Sequence, residues 1–331
     1  MRAMRISALG EPLALVEAPR PEPGPGEVLL RIRACGVNFA DTLMLAGKYQ
    51  EKPPLPLTPG LEVAGEVVAR GSGISAPALG ARVAALPGSG GFADYLAVPA
   101  DRCVAVPAAM PNIHVAGFLI AYGTSHLALA HLARLQPGER LAVLGAAGGV
   151  GLTAVEIGAR MGAEVIAVAR GAERLGIARA AGARHLIDAD APDLRDRLRA
   201  LGGIDVLYDA VGGDLFEAAF RACRPFARIL PIGFAGGGVP AIPANILLVK
   251  NQSVHGLYYG GLAAHRPGLV GASLEALLAW YERGWIAPHV SHVLPLEEAN
   301  AALDLLRTRA ATGKVVLEIA PYSAATRTGA Q

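Results

Sequence analysis

Lysine occurs at only four positions in this 331-residue chain: Lys48, Lys52, Lys250 and Lys314. They stand too far apart to form the cluster of unpaired cations that binding to a phosphate backbone requires. An excess of one charge is missing too, because 30 Lys+Arg face 28 Asp+Glu and leave a formal net charge of +2. Nucleic acid is therefore not an expected partner. Cysteine is nearly absent: Cys35, Cys103 and Cys223 are the full set, and they make no C-x-x-C or other run that could hold a structural zinc. The opening Met-Arg-Ala-Met-Arg-Ile has no apolar signal core, so the cytoplasm is the expected compartment. One stretch has the length of a membrane span, the 19 residues from Leu141 to Ala159 with Glu156 as their single charge. Its five glycines and flanking turn signals fit a strand, a turn and a helix better, so no membrane span is expected.

What is present is a globular composition. Hydrophobic residues make up 53% and charged residues 18%, which excludes a largely disordered chain, and the length suits two domains. The first hundred residues read as short β-branched runs between Gly/Pro breaks: Glu27–Ala34, Glu62–Ala69, Ala81–Leu86 and Ala93–Val98, with a short helix at Asp41–Leu45. That pattern favours a β-rich, barrel-like domain. Beyond Pro111 the rhythm changes. A long helix is expected over His114–Leu135, and strands at 140–144, 164–169, 185–187, 205–209 and 228–232 alternate with helical segments. Such alternation indicates an α/β domain with a doubly wound parallel sheet. Helices at Ser273–Gly284 and Leu296–Arg309, then a strand at Lys314–Ile319, close the chain before a small, polar tail. No internal repeat is present.

Between the strand at 140–144 and the helix that follows lies Leu144-Gly-Ala-Ala-Gly-Gly-Val-Gly151. Its dinucleotide-type register is Ala146-x-Gly148-x-x-Gly151. Gly148 leaves room for a pyrophosphate against the backbone, and Gly151 allows close packing of the helix. Around Ala147, Gly148, Gly149 and Val150, free N–H groups and the helix dipole favour negative phosphates. A site for NAD usually carries an acid about 20 residues on, at the tip of the second strand. Here the tip is Ala169, followed by Arg170-Gly-Ala-Glu-Arg174. Arginine suits the 2′-phosphate of NADP through paired charge-assisted hydrogen bonds. The alternative is that Arg170 and Arg174 are solvated residues at a helix start, with Glu173 pairing one of them.

The motifs Cys35-Gly-Val-Asn-Phe-Ala-Asp41, Pro59-Gly-Leu-Glu-Val-Ala-Gly65, Tyr122-Gly-Thr124, Ala146-Ala-Gly-Gly-Val-Gly151, Tyr208-Asp-Ala-Val-Gly-Gly213, Ile232-Gly-Phe234 and Thr312-Gly-Lys-Val-Val316 occur in that order. In order and spacing the chain resembles the zinc-independent, zeta-crystallin-like quinone oxidoreductases of the medium-chain dehydrogenase/reductase superfamily, from Met4 to about Ile319. The resemblance implies a GroES-like catalytic domain over 1–113, a Rossmann cofactor domain over 114–260 and a return to the catalytic domain over 261–319; the small, polar residues 320–331 read as a flexible tail. It implies NADPH, a small-molecule quinone or activated alkene as substrate, and a homodimer. It further implies that Asn38 and Tyr49 line the substrate and nicotinamide side as catalytic residues. Thr124 would approach the nicotinamide ribose, and Phe234 would lie beside the cofactor. Arg174 would stand where relatives use a lysine at the 2′-phosphate, and Lys314 would belong to the cofactor site. Ala189 replaces a tyrosine that some relatives add there, and Arg309 stands one residue out of the register of a C-terminal arginine.

Zinc alcohol dehydrogenases share this architecture, with a ligand cysteine at the position of Cys35 and a histidine where this chain has Leu61 in Gly60-Leu61-Glu62. Leucine cannot coordinate, and a thiolate plus a carboxylate falls short of three protein ligands. No metal site is expected; Cys35 reads as a small buried residue and Glu62 as a structural hydrogen-bonding group. The histidines make no metal-binding frame, and Gly123-Thr124-Ser125 is no nucleophile elbow. Tyr258 and Tyr259 could belong to a pocket wall or to a protomer contact. The reading is an NADPH-dependent quinone oxidoreductase that works without metal, with Asn38 or Tyr49 as the group to hydrogen-bond the reduced oxygen. The alternatives are an enoyl-thioester or 2-alkenal reductase and a non-catalytic crystallin-like or RNA-binding protein.

Overall fold

The computed structural model describes residues 1–320. The expected tail, 320–331, therefore lies outside the described residues apart from Ala320. Seven strands come first: β1 (Arg2–Arg5), β2 (Ala14–Glu17), β3 (Glu27–Val37), β4 (Glu62–Arg70), β5 (Arg82–Ala85), β6 (Tyr95–Pro99) and β7 (Cys103–Ala105). Six follow in the middle of the chain: β8 (Arg140–Leu144), β9 (Glu164–Ala169), β10 (His185–Asp188), β11 (Ile204–Asp209), β12 (Cys223–Pro231) and β13 (Ser253–Val254). The last two are β14 (Val290–Pro295) and β15 (Lys314–Glu318). The chain divides into two compact units, Met1–Leu119 with the part from Pro288 onward, and Ile120–Ala287.

In the first unit the sheet runs β14-β15-β3-β4-β5-β7, and β6 also pairs with β3. The long strand β3 is its centre. The C-terminal strand β15 returns to it antiparallel, Val315 opposite Val37 and Val316 opposite Gly36. On the other side β4 pairs with it, Glu62 opposite Gly36. The end of β3 is thus flanked by the first residues of two strands distant in sequence. Gly36 has no room for a side chain: a Cβ there would overlap the Ala116 carbonyl and stand 2.6 Å from Glu62 Oε1.

The second unit holds one parallel sheet in the order β10-β9-β8-β11-β12-β13. The order reverses between β8 and β11, which makes a doubly wound Rossmann sheet with a topological switch point there. Leu144, Val168, Leu207, Ile229, Phe216 and Phe220 are among the buried residues of its core. The stretch 141–159 divides into strand, turn and helix, and among the described residues no helix is long and apolar enough to cross a membrane.

Two expectations change. The single helix over His114–Leu135 is instead Asn112–Ala116, Leu119–His126 and a π-helical stretch at Leu127–Leu132; Gly117 caps the first piece. The return to the first unit comes at Pro288, later than the expected 261. Helix Pro267–Glu282 stays with the Rossmann sheet because His126 ties to it, its Nδ1 2.7 Å from Ser273 Oγ and its ring edge-on to Trp280 at 5.5 Å. The Tyr259 ring also fills the space that a side chain at Gly123 would need.

Candidate active site

In the second unit the glycine turn leaves the C-terminal end of β8. Gly145 has φ +73°, and the Gly145 and Ala146 N–H groups both donate to the Val168 carbonyl, at 3.0 and 3.1 Å. Gly148 then caps the helix Gly149–Arg160. The glycines differ in what they face. A Cβ on Gly151 would overlap the Gly145 carbonyl, whereas one on Gly148 would meet only that oxygen, at 3.4 Å. Gly151 is required by the turn itself; Gly148 opens outward beside first-turn N–H groups that have no partner within the helix. This arrangement fits a dinucleotide pyrophosphate, for which free N–H groups and bare backbone are the needed features.

The neighbouring strand across the switch point supplies a second turn. Asp209, opposite Leu144, is fully buried and accepts from the Val211 and Gly212 N–H groups, each at 2.9 Å to Oδ1. Burial pushes its pKa up, and these two hydrogen bonds oppose the rise. Gly212 has φ +75°, and a Cβ there would overlap the Gly238 carbonyl and lie 3.4 Å from Phe234 Cδ1. The half-exposed Phe234 ring is thereby set beside this turn.

Thr124 is 6% exposed on helix Leu119–His126, which is fastened to the helix after the glycine turn by Tyr122 and Ser125 and by Thr153 Oγ1, 3.1 Å from the Ala121 carbonyl. Tyr122 donates to Glu156 Oε2 at 2.6 Å. Ser125 Oγ donates to the Val150 carbonyl at 2.9 Å and lies 2.8 Å from Thr153 Oγ1 and 2.9 Å from Tyr208 OH. These fastenings hold Thr124 in place relative to Val150.

At the tip of β9, Arg170 caps helix Gly171–Ala180 and pairs with Asp190 at 3.5 Å, both side chains exposed. Arg174 is half-buried in the first turns of that helix. The sequence reading missed Asp188. It ends β10 opposite Ala169, so an acid does stand at this edge, on the neighbouring strand. Its carboxylate accepts from the Gly171 and Asp190 N–H groups at 3.2 and 3.0 Å.

In the first unit the converging strand ends build a buried polar cluster. Lys314, 5% exposed, donates to Asn38 Oδ1 and Glu62 Oε1 at 2.7 Å each and to the Val37 carbonyl at 3.3 Å. Asn38 Nδ2 donates to Glu62 Oε1 at 3.0 Å and to the Gly36 carbonyl at 3.3 Å. Asn38 also starts helix Phe39–Leu45, where Asp41 accepts its backbone N–H at 2.8 Å and that of Gly60 at 2.9 Å. Burial pushes the Asp41 carboxyl up to about 7 against the pull of those hydrogen bonds. Tyr49, partly buried, follows the other end of that helix, so the two expected catalytic residues flank one helix. Lys314 is placed differently from the cofactor role expected of it: its three N–H groups are all committed within this unit.

The cluster also bears on metal binding. Cys35 is fully buried and donates to the Glu62 carbonyl at 3.1 Å. Burial first, then the nearby Asp41 and Glu62 carboxylates, holds its thiol well above the usual range, whereas metals bind the thiolate. Leu61 is apolar, and the Glu62 carboxylate already holds an ammonium. These residues do not fit a catalytic zinc, and among the described residues no group of three His, Cys, Asp or Glu could hold a metal.

Comparison with known proteins agrees with this layout. Residues 24–108 match the alcohol dehydrogenase GroES-like domain and residues 149–274 match the family described as zinc-binding dehydrogenase, the latter a name whose metal the residues here do not accommodate. The chain is 38% identical over 323 residues to a quinone oxidoreductase-like protein 2 homolog of Nematostella vectensis, covering 96% of this chain and 88% of that one. It is 32% identical to prostaglandin reductase-3 of Bos taurus, over 92% of this chain and 84% of that one. Among solved structures, the quinone oxidoreductase of Thermus thermophilus, determined also in complex with NADPH, superposes with a TM-score of 0.84 at 34% identity, over 96% of this chain and 100% of that one. The chain belongs to the quinone oxidoreductase family of the medium-chain dehydrogenase/reductase superfamily, and is an oxidoreductase of that superfamily.

Proposed function

We propose that this protein is an NADPH-dependent quinone oxidoreductase that needs no metal. The observation that carries the reading is the main-chain cradle at the switch point of the Rossmann sheet, open at Gly148 and closed at Gly151. NADPH, when bound, supplies the reducing equivalent. Ala147, Gly149 and Val150 hold the pyrophosphate through N–H groups beside the bare backbone of Gly148, whose own N–H closes the turn onto the Gly145 carbonyl at 2.9 Å; Arg170 and Arg174 favour a 2′-phosphate, Thr124 meets the nicotinamide ribose, and Phe234 lies against the coenzyme. Asn38 and Tyr49 line the side where the substrate meets the nicotinamide. A quinone takes up electrons without a Lewis acid, which agrees with a donor set unsuited to zinc. The Thermus quinone oxidoreductase, solved with NADPH at 34% identity, supports both the coenzyme and the acceptor class.

Assembly as a homodimer is part of the proposal. The two-residue strand β13 forms an edge of the Rossmann sheet, and Val239, Leu248 and Val249 nearby in sequence are 74%, 76% and 72% exposed. An open edge beside apolar surface favours pairing with a second copy. A monomer by light scattering at micromolar concentration would contradict this.

The assay is NADPH oxidation with 1,4-benzoquinone and 9,10-phenanthrenequinone. Turnover with both, unchanged by a chelator, is expected; chelator-sensitive turnover would overturn the metal-free reading. The likeness to prostaglandin reductase-3 favours a second reading, reduction of activated alkenes. Crotonyl-CoA and 2-alkenals in the same assay separate the two, and turnover of these without turnover of quinones would select the second.

A further inference from the structure

We infer that Lys314 is a positioning residue: with Glu62 it fixes the Asn38 amide in one orientation, both N–H groups turned into the protein. The inference rests on the reading of Asn38 as a substrate-side residue. An ammonium only donates hydrogen bonds and an ionised carboxylate only accepts them. Lys314 Nζ stands 2.7 Å from Asn38 Oδ1, and Glu62 Oε1 stands 3.0 Å from Asn38 Nδ2. Turning the amide over would set its NH2 group against the ammonium and its oxygen against the carboxylate, two repulsive contacts in place of two hydrogen bonds. The ammonium and carboxylate are themselves joined at 2.7 Å, which closes a three-membered ring of polar groups.

The location of the ring gives it this role. Lys314 begins β15 and Glu62 begins β4, and both strands pair with the end of β3 immediately before Asn38. The lysine stem passes Gly117, whose missing Cβ would lie 3.3 Å from Lys314 Cβ and Cγ. Stability alone gives little reason for the pair, because a buried ion pair is often no more stabilising than apolar residues of similar volume. Orientation is what the pair supplies. Its consequence is specific: with both Asn38 N–H groups committed to Glu62 and the Gly36 carbonyl, the amide meets a ligand through its oxygen, as an acceptor. The group it recognises is then a hydrogen-bond donor; a quinone has none, so the group is the carboxamide N–H of the nicotinamide or the hydroxyl of the reduced product, and Asn38 is not the donor to a reduced oxygen.

The test uses the full chain and a variant that removes both charges together, Lys314→Met with Glu62→Gln, so that neither ion stays buried alone. In the wild type, side-chain amide protons of Asn38, followed by NMR, exchange at least tenfold more slowly than those of an exposed asparagine. In the double variant they exchange at least tenfold faster than in the wild type, kcat with 1,4-benzoquinone falls at least tenfold, and the Kd for NADPH changes less than twofold. Adding Asn38→Ala to the double variant lowers kcat no further. Fast exchange in the wild type overturns the inference even if the variant does not fold. So does a double variant with wild-type kcat, or one whose NADPH Kd rises tenfold while kcat stays intact, which would make Lys314 a coenzyme ligand. Wild-type protein with slow exchange and no quinone turnover would sink the proposed function and leave the amide orientation standing.

Discussion

In the Rossmann unit the candidate site is made of main chain: at Gly148, Gly151 and Gly212 what matters is the side chain that is not there, and in the proposed function N–H groups do the binding. In the GroES-like unit the site is made of side chains: Asn38, Glu62 and Lys314 hold one another in a buried ring built from the first residues of two strands and the residue just past the end of a third. The first kind of site is set by local backbone conformation, so it is written in a few consecutive residues. The second is set by which strand ends meet, so its members can be far apart in the chain. The contrast predicts different failures on mutation. A side chain added to the turn blocks space, whereas a side chain removed from the ring leaves a charge without its partner.

Gly151→Val sharpens the contrast most. Its Cβ would overlap the Gly145 carbonyl, and relief requires backbone movement at the centre of the Rossmann unit. We expect a loss of about 3 kcal/mol or more, read as a fall in Tm or as insoluble protein; a Tm within a degree of wild type would break the account of the turn. Asp41 comes next. Its folded-state carboxyl sits at about 7, above the ordinary value near 3.9. The folded state therefore holds the proton more tightly than the unfolded state does. The resulting stability is fully present below about pH 4 and is lost as pH rises through about 7. We expect a downward slope in Tm between pH 5 and 8 that Asp41→Asn flattens relative to wild type, and parallel slopes would contradict it. The smallest effect is at the coenzyme's far end. Arg174→Ala should raise KM for NADPH about tenfold, the order expected for one charge-assisted hydrogen bond, and leave KM for NADH nearly unchanged. Equal effects on the two would remove Arg174 from the 2′-phosphate site.

The same contrast explains what the sequence made legible. The glycine turn, its strand and its helix could be read because Gly145 to Gly151 impose their conformation locally, and the β-then-βα rhythm gave both fold classes. The place of Lys314 in the ring is not legible because its partner Glu62 lies 252 residues away, and no local signal tells a lysine at a strand start that two other strand ends will meet it. Asp188 is hidden for a related reason: spacing along the chain points to the tip of β9, while the fold brings an acid alongside from β10. The unit boundary near 261 was placed too early because helix Pro267–Glu282 is apolar enough for either unit. Its attachment through Ser273 and Trp280 to His126 is a tertiary fact.

In the proposed function a dinucleotide diphosphate rests on bare main chain at Gly148. The most direct test is an NADPH titration of the wild type and of Gly148→Val, followed by quenching of protein fluorescence and paired with a melting curve. A Cβ there meets only one protein atom within 4 Å, at 3.4 Å, so the variant should melt close to wild type while its NADPH affinity falls at least tenfold. A variant that melts normally and binds NADPH as tightly as wild type would contradict the account.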